Sequence, residues 1–73
     1  MRNTATQELM NEIESLWHAL YDQTPHFVCK EAEKKSAIHA RDRKGNFILQ
    51  EGDSVQKAME AVRDKLLSNF EQA

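Results

Sequence analysis

The chain has 73 residues, 40% hydrophobic and 30% charged, with a formal net charge of −2. That length holds one domain with a small core, and the composition argues against full disorder. The apolar runs are short, Phe27-Val28-Cys29 and Phe47-Ile48-Leu49 among them, far below the ~20 residues a membrane helix needs.

Residues 1–10 are polar and carry no signal-peptide pattern, and the single cysteine, Cys29, has no internal disulfide partner. A cytoplasmic location is the default expectation. The charge is uneven. Between residues 30 and 44, six cations (Lys30, Lys34, Lys35, Arg41, Arg43, Lys44) face three acids (Glu31, Glu33, Asp42), a local +3, while both flanks are acidic. Such a segment is either a solvated set of strands and turns or a patch for an acidic partner.

In chain order, residues 1–5 are expected to fray, with Thr4 and Gln7 spaced as a capping box. Leu9, Ile13, Leu16 and Leu20 then form one helical stripe. Met10, Trp17 and Tyr21 lie beside it, so the apolar face is wider than one helix neighbour requires. Pro25 cannot continue the helical hydrogen bonding and restricts Thr24, which predicts a stop near Asp22 or Gln23.

His26 to Lys30 reads as a short strand, with a turn over Glu31 to Lys35. The rival is a short helix capped by Thr24 with Pro25 at its first position. Phe27, Val28, Ala32 and Ile38 make a poor helical stripe, which favours the strand. Ser36 to Asp42 and Asn46 to Gln50 read as a hairpin, with Gly45 suited to a left-handed position after a type I turn. Phe47-Ile48-Leu49 puts apolar residues on both faces of its strand. Cover by helices on one side and by a partner on the other would satisfy it.

The last helix is the most legible element. Val55, Met59, Val62, Leu66 and Phe70 fall on one stripe from Asp53 to Phe70, and Asp53 or Ser54 can cap it. Lys57, Glu60, Asp64 and Glu71 fall opposite. The assembled expectation is a single small α+β domain of order α-β-β-β-α, an antiparallel sheet carrying both helices on one face.

Chemistry-bearing residues are few. His26-x-x-Cys29 has workable ligand spacing, but no second pair completes a tetrahedral metal site, and His39 would have to come from a neighbouring strand. A thiol at Cys29 would need a base from His26 or His39 to be catalytic, whereas a lone strand cysteine is commonly a small buried hydrophobe. The two glycines sit in turns and make no phosphate loop. The reading is a protein without enzymatic activity, cofactor or metal. Met10, Trp17, Tyr21, Leu67 and Phe70 are the candidates for contact with another chain, a second copy or a different protein. Lys34, Lys35, Arg41, Arg43 and Lys44 are the candidates for a polyanion.

Two resemblances add to this. The α-β-β-β-α order with a basic middle, and Ser54-Val55-Gln56-Lys57-Ala58 leading to Ala61, resemble the double-stranded-RNA-binding domain. That family meets phosphates with lysines at the start of its last helix, and Lys57 alone stands there in this chain. Lys44-Gly45-Asn46-Phe47, Gly52-Asp53-Ser54 and Ala58-Met59-Glu60-Ala61, under half of the chain, are similar to the C-terminal half of HicB-type antitoxins. This second resemblance implies binding and neutralising a partner protein.

Overall fold

The computed structural model describes residues 4–72, and the side chains from residue 6 onward. Helix α1 (Thr4–Tyr21) is followed by strands β1 (His26–Glu31), β2 (Ser36–Arg41) and β3 (Phe47–Gly52), then helix α2 (Val55–Gln72). The strands form one antiparallel sheet in the order β1-β2-β3. Both helices pack on one face of it, the expected α+β architecture. The 26–31 segment is a strand and not the rival helix.

The capping role proposed for Thr4 rests on a side chain outside the described residues. Gln7 instead donates to Asn11 Oδ1 one turn along, at 3.2 Å. At the other end of α1, Asp22 takes φ 55° and its N–H donates to the His18 carbonyl at 3.0 Å. A short polar side chain tolerates that left-handed stop, and Pro25 beyond it is buried. Helix α2 is capped by Ser54, whose Oγ accepts from Lys57 N–H at 3.2 Å.

The core consists of Leu9, Ile13, Trp17, Ile38, Ala40, Ile48, Ala58, Met59, Val62 and Leu66. On α1 the buried spine is Leu9-Ile13-Trp17, not the stripe through Leu16 and Leu20. Those two pack half-buried beside it, as do Met10 and Tyr21. The wide apolar face is used because α1 has two neighbours, α2 along its length and the β2–β3 turn beneath Trp17. On α2 the burial ends at Leu66. Phe70, expected on the same seam, is 48% exposed because the last turn reaches past what it packs on.

Glu12 lies 3.9 Å from Arg63, and Glu8 and Glu12 share a groove with Gln56, Glu60 and Arg63. The helices therefore run side by side in the same direction. Their N-termini sit at the Ser36/Gly52 end of the sheet and their C-termini at the β2–β3 turn. Where β3 meets α2 the backbones nearly touch. A Cβ on Gly52 would fall 2.6 Å from Ala58 N and 2.8 Å from the Lys57 carbonyl carbon. Chain entropy alone would make Gly52→Ala stabilising by about 0.4–1 kcal/mol. Because the obstacle is backbone, the expected result has the opposite sign, a loss of about 1–3 kcal/mol. A lowered urea midpoint at constant m-value is the measurement that shows it.

Candidate functional site on the open sheet face

The hairpin register sorts the sheet's side chains. His26 is paired with Arg41 and Arg41 with Phe47, Val28 with His39 and His39 with Leu49, Lys30 with Ala37 and Ala37 with Glu51. Side chains alternate along a strand, so these nine residues share one face. Phe27, Ile38, Ala40 and Ile48 point the other way, into the helices. The outer face has no helix over it. Phe47 is 56% exposed, Leu49 51% and Val28 39%.

His39 stands in the middle of this face, edge-on to the Phe47 ring with centroids 4.4 Å apart. Its Nε2 is shielded from water and has no hydrogen-bond partner among the described residues. The result is an apolar stripe of Val28, His39, Leu49 and Phe47, with Arg41 and His26 at one end and Lys30 and Glu51 at the other. Phe47-Ile48-Leu49 was expected to be covered on both sides. The helices cover the Ile48 side, and the other side is open.

The helix-borne interface candidates fare differently. Trp17 is fully buried, and its indole N–H donates to Asp42 Oδ2 at 2.8 Å. It is a core residue and is corrected out of any surface, because the carboxylate beneath it draws the indole inward. Tyr21 packs edge-on to Trp17 at 5.1 Å, and Met10 lies half-buried against the core. Leu67 and Phe70 remain exposed on α2.

The basic candidates are split. Lys34 and Lys35 lie in the β1–β2 turn, sharing a shallow depression with Glu33 and Glu51. Arg41, Arg43 and Lys44 lie at the opposite end, a six-residue strand away, about 17 Å. A single surface of all five is not formed. Lys57, the cation at the start of α2, lies 4.0 Å from Glu60.

Cys29 was expected to be buried and is exposed. Its register partner Ile38 faces the helices, but α2 covers β2 and β3 and leaves the β1 edge bare. Strand alternation also puts Cys29 on the face opposite His26 and His39, so these three do not converge. No group of three His, Cys, Asp or Glu side chains clusters among the described residues.

Asp42, the one buried carboxylate among the described residues, is structural. Asp42 Oδ2 accepts from Trp17 Nε1 and from Asn46 Nδ2 at 2.9 Å, and Oδ1 accepts from the N–H groups of Lys44 at 2.8 Å and Asn46 at 3.1 Å. Desolvation pushes its pKa up. The hydrogen bonds from Asn46, Trp17 and Lys44 outweigh that and hold it below the ordinary value. Gly45, at φ 96°, completes the turn.

No family model, curated protein or solved structure matches this chain. Sequence reasoning missed the outer face as a unit because its members become neighbours only through the register. The available signal was His39 set between buried Ile38 and Ala40, and Leu49 beside buried Ile48.

Because the Asp42 pKa is lower folded than unfolded, the folded state binds fewer protons there. Its contribution is full above the unfolded value, near 3.9, and is lost as pH falls through the folded value. Asp42→Asn should therefore be less stable than the parent at pH 7, with the gap closing toward pH 3. Urea midpoints at pH 7, 5 and 3 read this out, and a constant gap would contradict the assignment.

Proposed function

We propose that the chain is a non-enzymatic interaction module and that the open sheet face is where it binds another protein chain. The single supporting observation is that face. Val28, Leu49 and Phe47 are held out of the core on a rigid sheet, contiguous and without helix cover. Monomeric proteins seldom expose connected apolar surface without use. Charged ends around an apolar centre are the usual plan of a protein interface. The antitoxin resemblance is compatible with this, since it too implies a protein partner.

The test is photo-crosslinking in the cells that make the protein. A photoreactive phenylalanine analogue placed at position 49 should give a protein adduct. The same analogue in place of Ser15, exposed on α1, should not. Equal yields from both positions, or nucleic acid as the only adduct at 49, would remove the reading. Leu49→Thr should abolish the adduct formed from a probe at position 28. It should also change stability by no more than about 0.5 kcal/mol, since the side chain is already half in water.

A second reading, contact with a polyanion, is favoured by one observation at the hairpin end. The Asp42 charge is turned inward and taken by four hydrogen bonds. Arg41, Arg43 and Lys44 have no ion-pair partner among the described residues. This reading predicts retention on a heparin resin at low salt. Joint Arg43→Ala and Lys44→Ala should remove that retention, and joint Lys34→Ala and Lys35→Ala should leave most of it.

A further inference from the structure

Resting on the interaction reading above, the structure assigns the open face a specific occupant: a second copy of this chain, stacked sheet to sheet about a two-fold axis parallel to the strands and passing over β2. Charge complementarity selects that axis. Two identical faces that meet must be related by a two-fold lying in the plane between them. An axis along β2 exchanges β1 of one copy with β3 of the other. Val28 then meets Leu49 of its partner copy, and Lys30 meets Glu51, each twice. His39 and Ala37 lie on the axis.

Within one protomer Lys30 and Glu51 share a row but stand on the two edge strands, about 10 Å apart with β2 between them. They form no ion pair there, since the ion pairs of the described residues engage Lys57 and Arg63. Ala37 is the small residue between them and lets the two sheets approach at that end. Turning the axis perpendicular to the strands keeps the apolar centre, Val28 on Val28 and Leu49 on Leu49, but sets His26 against Lys30 and Phe47 against Glu51, so neither charge meets its opposite. Aligned stacking is also the ordinary packing of two antiparallel sheets.

The parallel axis has one unfavourable consequence, which can be used. Arg41 lies on it beside the hairpin turn and meets its own symmetry copy. Its side chain is exposed at the end of the strand, so the guanidinium can lean out past the turn, but some repulsion remains. The face is small, roughly 14 by 20 Å for three strands of six residues. That is well under the ~800 Å² per partner of a stable interface, so the association is weak and concentration-dependent.

Sedimentation equilibrium on the full chain from about 10 µM to 1 mM tests this, with the parent, Lys30→Glu, Glu51→Lys, their equimolar mixture, and Arg41→Ala. The parent mass should rise from 8.4 kDa toward twice that value. Either charge reversal alone should weaken dimerisation about tenfold or more, because two attractions become two repulsions. The mixture should recover it, since every facing pair is again opposite in sign. Arg41→Ala should tighten it. All these side chains are exposed, and an unchanged circular dichroism melt checks that each variant is folded.

A parent mass that stays at 8.4 kDa to 1 mM would overturn the assignment, as would a mixture no tighter than its components, or association that appears only when heparin is added. Crosslinking separates the two levels. A monomeric parent whose position 49 still captures a different protein loses the second copy and keeps the interaction module. A position 49 that captures no protein loses both.

Discussion

Asp42 is the point on which the arrangement turns. Its carboxylate closes the β2–β3 hairpin through the N–H groups of Lys44 and Asn46, and it receives the indole N–H of Trp17 from α1. The first set of contacts fixes the turn, and the turn fixes the register. The second seats α1 over the same end of the sheet. If β3 slipped by one residue against β2, Ile48 would turn to water and Phe47 and Leu49 would be driven under the helices. One side chain thus couples the sorting of the sheet to the docking of the helix.

Once the register is set, the distribution of apolar surface follows. Two helices running in the same direction can cover one face of a three-stranded sheet and no more. Ala58 and Gly52 are small where α2 crosses the end of β3, and this closeness lets Met59, Val62 and Leu66 sink into the core. The inward residues of β2 and β3 are satisfied by it. The outward residues, Leu49 and Phe47 above all, have no helix over them. The open face follows from the β-meander with both described helices on its other side.

Much of this fold was legible in the sequence because local signals agreed with one another. The Val55-Met59-Val62-Leu66 stripe behind Ser54, the break at Thr24-Pro25, and Gly45 after Arg43-Lys44 each fixed an element or a turn by its own chemistry. What was not legible depended on partners distant in sequence. Helical spacing alone leaves Trp17 open between contact with another chain and cover within the protomer, and Asp42, 25 residues away, supplies the acceptor that seats its indole in the core. Cys29 has the alternation of a buried residue, but exposure depends on whether a helix reaches the first strand, and periodicity does not encode that. The basic run from Lys30 to Lys44 is a cluster only along the chain. The hairpin folds it so that Lys34 and Lys35 go to one end of the sheet and Arg41, Arg43 and Lys44 to the other.

The edges of the sheet bear on which surface is offered. An open strand edge invites another strand, and natural sheets discourage this with charge along the edge. Strand β1 carries His26, Lys30 and Glu31, and five of its six residues are exposed, so its edge is charged and well hydrated. At the other edge, β3 ends in Glu51 and Gly52 and turns straight into α2. On the outer face the apolar residues Val28 of β1 and Leu49 of β3 lie midway along their strands and flank His39 of β2. Association by strand addition would bury charge and leave that stripe in water. Association by stacking buries the stripe and leaves the charges at its rim, where Lys30 and Glu51 can choose the orientation. The same sequence that blunts the edges thus leaves the face as the surface with something to gain from contact.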